Sequence, residues 1–376
     1  MKYAFIPFLL LLLSICSLAN DGAFRASGNQ LIPMYETDIS VKKEILTIRR
    51  INEKQARVEV YYEFFNPKDA RTLEVGFEAS SPSGDVDHYP TKDGHQPYIR
   101  QFTVTLNEAS IPYKVAIVHD KLYYRAGQYK AISLAQANKE SEEDYVDFFY
   151  VYHFRASFRQ GLNIIRHSYI VDLSNSVGEH YSLDYILTAA RRWANRQIDD
   201  FTLQIDMGEF QDLSIEPTFF KNVSEWKTDS TIKSMDVKTG DKDQPDMSRF
   251  FIRKGAIVFT KLNFKPKGEL EMHSFNSYYY RSADRPEGGG SPEQFDSRTT
   301  RLPFSIDDQD GIYPPVDELS KKILHNLPFA RRGYVFKSPE IAAYYTKQPW
   351  YLPDPTYTPD PGSLTKQEQD WLAKNK

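Results

Sequence analysis

The chain has 376 residues, which is long enough for two or three domains. It carries 47 lysines and arginines against 51 aspartates and glutamates, and this net charge of −4 argues against nucleic acid as a partner. The 25 tyrosines and 24 phenylalanines favour β structure, because flat aromatic rings pack well on a pleated surface.

The N-terminal residues have the pattern of a secretory signal peptide. Lys2 precedes an apolar run at residues 4–13, and the small residues Ser17 and Ala19 stand three and one before a cleavage site. The apolar run is too short to span a bilayer comfortably. We therefore predict that residues 1–19 are removed, and that the mature chain is secreted or periplasmic and has no transmembrane segment.

Cys16 raises the alternative of a lipoprotein. Ile15 precedes it, however, at a position where lipid attachment usually requires a small residue, so ordinary cleavage after Ala19 is favoured. Because Cys16 is the single cysteine of the chain, the mature protein is then predicted to have neither a disulfide nor thiol chemistry.

Apolar and polar residues alternate along residues 41–117, and this period of two indicates strands with one buried face. A polar link at 107–110 has the size of a hairpin turn. Residues 129–144 fit either a short helix or a solvated loop, and strand-like runs resume beyond them. Several short strands separated by turns are typical of an antiparallel sandwich. We predict a mainly β fold, with a β-sandwich-like domain at residues 20–125 and a second β-rich domain at residues 126–281.

A polar loop in the first predicted β domain carries the densest set of metal-ligating residue types in the sequence: Asp85, Asp87, His88, Asp93 and His95. Imidazole and carboxylate groups could bind a divalent cation if the loop folded them inward. The loop also contains Gly84, Pro90 and Gly94, and such residues are usual in turns. A plain hairpin loop is therefore the competing interpretation.

The most basic cluster of the predicted β region surrounds a tryptophan: Arg191, Arg192 and Arg196 flank Trp193. Guanidinium groups can hold a carboxylate or phosphate while the indole stacks on a sugar or another cation. Alternatively, Trp193 closes one end of the sandwich and the arginines cover its rim. Both interpretations stay open.

Residues 282–315 have the composition of a flexible linker. They contain three consecutive glycines at 288–290, Pro286, Pro292, many charges and few aliphatic side chains. Such a segment connects domains without a core of its own.

Beyond the predicted linker the apolar period becomes helical. Apolar residues fall three or four positions apart at Val316, Leu319, Ile323 and Leu327. Ser338 before Pro339 predicts a second helix start, and Thr365 with Glu368 predicts a capping box for a third. Residues 316–376 are therefore predicted to form a small all-α module, which is too short to fold with a wide margin and is expected to lean on the β region.

This helical module contains a motif of a known family. The motif occupies residues 329–333 with the letters FARRG, followed by Tyr334, Phe336 and the stretches 338–340 and 348–351. These residues resemble the YARHG module, a small domain of secreted bacterial proteins with no established activity. Two of the five letters differ. Phe329 replaces the tyrosine and Arg332 replaces the histidine, so a phenolic hydroxyl is lost and a titratable ring becomes a permanent charge.

A looser resemblance covers the β region. The stretches 20–22, 58–66 and 185–188, together with Trp193, are similar to an uncharacterised secreted β-rich family that can precede YARHG modules. Both resemblances imply a protein outside the cytoplasm, and neither implies an activity.

Within the helical module, Arg331, Arg332 and Trp350 make a second basic and aromatic surface that could bind an anionic ligand. The competing interpretation is structural. Trp350 would pack the helices together, and Arg331 would form an ion pair or contact a carbonyl.

The sequence contains no G-x-S-x-G, H-E-x-x-H, P-loop or dinucleotide-binding motif. We therefore predict a secreted, non-enzymatic protein without a cofactor, which binds an envelope glycan, peptidoglycan or an envelope protein. The alternative is a hydrolase acting on cell-envelope material, because YARHG-like modules are found beside catalytic domains.

Overall fold

A computed structural model describes residues 27–29, 31–34, 37–125, 127–143, 146–238, 245–276, 294–306 and 314–376. The predicted signal peptide and the three glycines of the predicted linker lie outside these residues. Among the residues described, no helix combines the length and the apolar character needed to cross a membrane.

Strand accounts for 44% of the residues and helix for 16%, which confirms the predicted mainly β fold. The strands, in chain order, are β1 (Ser27–Asn29), β2 (Leu31–Pro33), β3 (Ser40–Asn52), β4 (Gln55–Asn66), β5 (Arg71–Ser80), β6 (Ile99–Leu106), β7 (Ala109–Ser110), β8 (Lys114–Val118), β9 (Tyr124–Arg125), β10 (Gln128–Tyr129), β11 (Phe149–Phe158), β12 (Gly161–Asp172), β13 (Ser174–Ser176), β14 (Glu179–Ile186), β15 (Ile198–Asp206), β16 (Gln211–Ile215), β17 (Trp226–Lys227), β18 (Ile232–Val237), β19 (Met247–Ile252), β20 (Ile257–Phe264) and β21 (Leu270–Phe275).

Three sheets contain nearly all of these strands. The eight-stranded sheet has the order β17-β20-β15-β3-β4-β12-β6-β7, and the four-stranded sheet has the order β2-β5-β11-β8. The seven-stranded sheet has the order β1-β14-β21-β16-β19-β18, with β13 also paired to β14. Neighbouring described strands are antiparallel except for two parallel pairs, β3 with β15 and β1 with β14.

The eight-stranded sheet packs one face against both other sheets. At one end, the ring of Phe77 on β5 lies 5.4 Å from the ring of Phe102 on β6. At the other, the indole of Trp226 on β17 lies 5.5 Å from the ring of Phe250 on β19. The aromatic residues that dominate the composition therefore fill the space between the sheets, as expected of a sandwich.

The predicted boundary near residue 125 runs through this sandwich. β15 belongs to the second predicted domain, yet it pairs with β3 of the first from Ile198↔Val41 to Asp206↔Arg49. β12 pairs with β4 in the same way, and the buried residues of both ranges form one core cluster. Alternation along the chain reveals strands but not their partners, so the sequence separates segments that the sheet joins.

Four α-helices are described: α1 (Leu134–Glu140), α2 (Glu318–Arg331), α3 (Pro339–Thr346) and α4 (Lys366–Lys374). α1 confirms a short helix within the segment for which the sequence left helix and loop open, at Leu134–Glu140. At α4 the predicted capping box is present, since the Thr365 hydroxyl accepts from the Glu368 amide at 3.2 Å and the Glu368 carboxylate accepts from the Thr365 amide at 2.9 Å. Ser338 occupies the cap position of α3 but makes no capping hydrogen bond.

Pro328 lies inside α2 and leaves a carbonyl without its helical donor. Proline has no amide hydrogen, so it cannot donate to the carbonyl of Leu324 one turn earlier. The Nε1 of Trp371, from α4, donates to this oxygen at 2.6 Å. The hydroxyl of Tyr345, from α3, donates to the carbonyl of Ile323 at 2.6 Å. The Trp371 side chain therefore replaces the missing backbone donor, and this hydrogen bond holds α4 against α2.

Residues 294–306 fall in the predicted flexible linker, but they are packed against the helical module. Four of their side chains are only 1–3% exposed: Phe295, Leu302, Phe304 and Ile306. They share a core with α2 and α3, and the Phe295 amide donates to the Pro314 carbonyl at 2.9 Å. The sequence suggested a linker because this stretch has few aliphatic residues. Its four buried apolar side chains are spaced too irregularly to show the period of a helix or a strand.

His167 on β12 is a histidine buried in the aromatic core. The residue is 2% exposed, and neither ring nitrogen makes a hydrogen bond. The rings of Tyr62 and Tyr169 stack against it with centroids 5.9 and 6.1 Å away. Burial lowers the pKa of His167 from 6.5 to about 3, because the aromatic surroundings cannot solvate an imidazolium.

We expect His167 to make the fold sensitive to acid. Below pH 6.5 the unfolded chain binds a proton that the folded chain does not, so the free energy of unfolding should fall by about 1.4 kcal/mol per pH unit toward pH 3. The variant His167→Phe should lose this part of the dependence. Urea unfolding at pH 7 and pH 5 measures it. His119→Gln, which removes a histidine whose side chain is 38% exposed, should behave like the parent protein. Equal acid sensitivity of His167→Phe and the parent would contradict the assignment.

Candidate functional site

A cleft of about 630 Å³ opens where the eight-stranded sheet, the seven-stranded sheet and the C-terminal helices meet. Most of its lining side chains are polar or charged, and they come from distant parts of the chain: Arg50, Glu53, Lys54, Val86, Tyr98, Asp172, Leu173, Asn175, Ser176, Glu179, His180, Tyr181, Phe210, Gln211, Asp212, Ser274, Ser305 and Gln367. The strands bring these residues together because β3, β12 and β16 all begin or end at this edge.

Arg50 holds one wall of the cleft. Its guanidinium lies 4.7 Å from the ring centre of Tyr181, and its Nη1 donates to Gln211 Oε1 at 2.9 Å. Gln211 Oε1 also accepts the hydroxyl hydrogen of Tyr181 at 2.9 Å. The Nε and Nη2 of Arg50 donate to the carbonyls of Asn52 and Glu53 at 3.0 and 3.2 Å. A guanidinium fixed on so many sides presents its outer edge in one orientation.

Three carboxylates of the cleft are held by partners. Asp212 is 3% exposed, and Arg249 donates to its two oxygens at 2.8 and 2.5 Å. Asp172 accepts from Gln55 Nε2 at 2.8 Å. Burial raises the pKa of Glu179, but hydrogen bonds from His273, Ser176 and Ser182 outweigh this effect and lower it. Glu179 is therefore an ionised acceptor near neutral pH, and Asp172 and Asp212 are acceptors held in fixed positions.

His180 and two aromatic residues complete the lining. The Nε2 of His180 is buried and makes no hydrogen bond to any described residue. Tyr98 and Phe210 are half-buried and border the same space. The cleft thus combines donors, acceptors and aromatic surface, which is the mixture expected of a site for a polar ligand.

Arg331 and Arg332, predicted to bind an anionic ligand, instead meet one carboxylate of their own module. The Glu368 side chain is fully buried, and Arg332 donates to its two oxygens at 3.2 and 2.6 Å. Arg331 Nη1 lies 3.5 Å from Glu368 Oε1, and the Arg331 side chain is 4% exposed. The ion-pair interpretation therefore describes the geometry, because little of Arg331 remains for a ligand from solvent.

The same two guanidinium groups join the module to the β region. Arg331 and Arg332 lie 4.9 and 4.8 Å from the ring centre of Phe210, which precedes β16. Arg331 also lies 5.3 Å from the ring centre of Phe304. A cation over an aromatic face is attracted by the negative charge density of the ring, so these contacts favour docking of the module.

Gly333, the last residue of the motif, occupies a crowded turn after α2. Its φ of 90° is in the left-handed region, in agreement with the helix-ending role that its position predicts. An added Cβ would lie 2.7 Å from the Nη1 of Arg253 and 2.7 Å from the Leu352 carbonyl oxygen. Arg253 itself donates to the carbonyls of Arg332 and Leu352. Glycine is required here because a side chain would separate the module from the β region.

Trp350 and Trp193 are both interior residues, so neither offers a ring to a ligand. Trp350 is 3% exposed, and its Nε1 donates to the Leu302 carbonyl at 2.7 Å. Trp193 is 2% exposed, and its Nε1 donates to the Leu31 carbonyl at 2.9 Å. Arg191 and Arg196 are exposed around Trp193, as in the interpretation of a plugged sandwich end with a basic rim.

The five predicted metal ligands of the 85–95 loop do not converge in this structure. Asp87 accepts the amide hydrogen of Tyr89 at 3.0 Å, as a turn residue does. The Nε2 of His88 bonds the Gly84 carbonyl at 3.1 Å, and the ring of His95 packs 5.8 Å from the ring of Tyr152. Asp85 and Asp93 join no three-ligand group among the described residues. The geometry is that of the competing hairpin loop.

The sequence did not indicate the cleft residues. Arg50, Asp172 and Glu179 stand at strand ends that are far apart in the chain, and no motif connects them. One signal was present. Asp212, Ser214 and His273 are polar residues within runs that otherwise read as buried strands, and all three are buried in the structure. Polar residues at such positions require hydrogen-bond partners, which marks this part of the sheet as unusual.

Residues 315–376 match the YARHG domain, which confirms the resemblance of the C-terminal motif. The domain covers α2, α3 and α4 together with the turn at Gly333.

Comparisons with solved structures give distant likenesses. A protein of Legionella pneumophila, provisionally described as nutrient-binding, shares 15% identity, and the match covers 95% of this chain and 100% of that one with a TM-score of 0.47. The baculovirus protein P35 shares 11% identity over 64% of this chain and 98% of its own, with a TM-score of 0.25. No curated protein matches the chain. Likenesses this distant do not define a ligand.

We expect Glu368 to be the principal electrostatic contact of the module. Glu368→Gln keeps the size of the side chain and an acceptor for the capping box, but it leaves the buried Arg331 and the half-buried Arg332 without this counter-charge. The free energy of unfolding should fall by about 3 kcal/mol. Asp370→Asn, in the same helix, removes a carboxylate that is 50% exposed and paired with Lys366, and should change it by less than about 0.5 kcal/mol. Thermal and urea unfolding of the full chain compare the two. Similar small losses would show that the buried pair is not important for stability.

Gly333→Ala should destabilise the chain through crowding as well as backbone strain. Gly161→Ala is a matched control, because Gly161 has a φ of 84° and no atom within 4 Å of the position of an added Cβ. The control isolates the strain, which costs about 1–2 kcal/mol. Gly333→Ala should cost at least about 1 kcal/mol more, because the Leu352 carbonyl and Arg253 must move. Equal losses in urea unfolding would contradict the proposed close approach.

Proposed function

We propose that the protein is a secreted, non-catalytic binding protein of the cell envelope, and that the cleft holds a segment of envelope glycan such as the sugar strand of peptidoglycan. The observation that carries the proposal is the lining of the cleft. Fixed donors, fixed acceptors and aromatic rings border one space of about 630 Å³.

A sugar strand matches this lining chemically. Each sugar ring offers hydroxyl groups that both donate and accept, so it can satisfy the Arg50 guanidinium and the Glu179 carboxylate at the same time. Its faces are apolar enough to pack on the ring of Tyr98, which borders the cleft. The volume lies within the range of roughly 300–1,000 Å³ that small-molecule sites occupy. The cleft would therefore accommodate a short segment rather than a long strand.

Two sequence features support an envelope location. The first is the signal-peptide pattern of residues 1–19, which directs a chain to secretion. The second is the domain at residues 315–376, since YARHG domains occur in extracellular or periplasmic proteins.

Nothing in the comparisons favours the alternative of a hydrolase. The carboxylates Asp172, Asp212 and Glu179 each accept hydrogen bonds from groups of the fold. This arrangement suits binding, in which the acceptors stay in fixed positions. A general acid would need a carboxyl that keeps its proton near neutral pH, and the pKa of Glu179 is instead lowered.

A pair of tryptophan variants tests the cleft. Asn175 lines it and is exposed, so Asn175→Trp should fill the opening without disturbing the core. Val177, two residues along, is 41% exposed and lies outside the lining, so Val177→Trp adds the same ring next to the cleft. Binding of the mature protein to purified peptidoglycan is measured by sedimentation. We expect Asn175→Trp to weaken binding at least tenfold and Val177→Trp to bind like the parent.

The same assay separates binding from catalysis. Retention of the parent protein without release of soluble sugar products would support the proposal. Release of such products would make the protein a hydrolase. Equal retention of the parent and Asn175→Trp would place the binding surface elsewhere, and no retention of the parent would remove peptidoglycan as the ligand.

A further inference from the structure

Three metal-ligating side chains converge on the seven-stranded sheet, on the face that points away from the core. Glu271 and His273 flank Met272 on β21, and Met272 is fully buried in the core, so its two neighbours point to the opposite face. Glu216 directly follows β16, and its amide donates to the Glu271 carbonyl at 3.1 Å. One ligand atom from each of the three side chains lies within 4.8 Å of the others.

The ring of His273 is oriented so that its Nε2 faces Glu216. The residue is 7% exposed, and its Nδ1 bonds Glu179 Oε1 at 2.8 Å. The other oxygen of Glu179 accepts from the hydroxyls of Ser176 and Ser182 at 3.2 and 3.3 Å, which fixes the carboxylate. The His273 ring also stacks on Phe275, with the two planes only 4° apart. A carboxylate that holds Nδ1–H orients Nε2 toward the other two side chains, and zinc binding at Nε2 would displace the proton from that nitrogen.

The Nε2 of His273 is buried and makes no hydrogen bond. It lies 3.7 Å from Glu216 Oε1, which is too long for a hydrogen bond. Two ligands that each bind zinc at about 2.0–2.2 Å are separated by about 3.3–3.7 Å at tetrahedral or trigonal angles. The gap between the two atoms therefore has the width that a shared cation would need.

A structural ion pair is the competing explanation. A protonated His273 between Glu179 and Glu216 would also be stable, and it would place a donor on each ring nitrogen. Such a pair would draw both carboxylates to hydrogen-bond distance, yet only Glu179 lies there. Glu271 supplies the third ligand that a metal site needs.

We propose that Glu216, Glu271 and His273 bind one zinc ion, with Glu179 as the outer carboxylate that orients the imidazole. Three protein ligands leave a fourth position for water or a ligand atom. Glu179 also lines the cleft, so the ion would lie next to the candidate binding site. The proposal is independent of the envelope ligand, because it concerns only side chains of this chain.

Calorimetric titration of the chelator-treated full chain with zinc chloride tests the proposal. We expect one zinc ion per chain, and at least tenfold weaker binding by Glu216→Gln and by His273→Gln. His119 and Glu140 supply matched controls, because they form another histidine–carboxylate pair at 2.7 Å on the surface. His119→Gln and Glu140→Gln should bind zinc like the parent protein.

Three results would overturn the zinc site. They are no zinc binding by the parent, equal affinity of Glu216→Gln and Glu140→Gln, or binding of calcium in preference to zinc. If His273→Gln fails to fold, Glu216→Gln remains a test, because Glu216 is only half-buried. The X-ray absorption spectrum of zinc bound to the parent should show nitrogen and oxygen ligands at about 2.0–2.2 Å. Sulfur or only water ligands would contradict the assignment.

Discussion

One buried carboxylate, Glu368, connects α4 to the end of α2 in the C-terminal helical module. It caps α4, accepts two hydrogen bonds from Arg332, and lies beside Arg331 at the end of α2. Two cations around one anion leave an excess positive charge in a site that is largely shielded from water, with Glu368 at 0% and Arg331 at 4% exposure. The rings of Phe210 and Phe304 lie against that charge, and their negative faces offset part of the desolvation cost. Phe210 belongs to the β region. The arginines of the module are therefore fully stabilised only when the module packs against the β region.

Two histidines show how the same side chain takes opposite charge states in one fold. His167 is surrounded by aromatic rings, and burial alone decides its pKa. Burial also acts to lower the pKa of His273, but the hydrogen bond to Glu179 and the nearby negative charge of Glu216 outweigh burial and raise it to about 9. The difference follows from the face that each residue occupies on its own sheet. His167 points between the layers of the sandwich, whereas His273 points to a polar face with carboxylates.

Local rules made part of this structure predictable. The hairpin at residues 107–110 and the capping box of Thr365 and Glu368 depend on neighbours in sequence, and both are present. The YARHG motif was recognisable for the same reason. The pairing of β3 with β15 joins segments about 150 residues apart, and no local pattern encodes it. The burial of residues 294–306 and the formation of the cleft likewise depend on contacts between residues that are far apart in the chain. Arg331 illustrates the limit, because a sequence shows the charge but not the carboxylate that it meets.

The helix that carries Glu368 also supplies part of the cleft. Gln367 is the next residue before Glu368, and it lines the cleft together with Ser305, while the opposite walls come from the sheets. A molecule in the cleft would therefore contact the β region and the helical module at the same time. By thermodynamic reciprocity, docking of the module would raise the affinity for that molecule by the same factor by which the molecule raises the docking equilibrium. Binding in the cleft and docking of the helical module on the β region would then be coupled to each other.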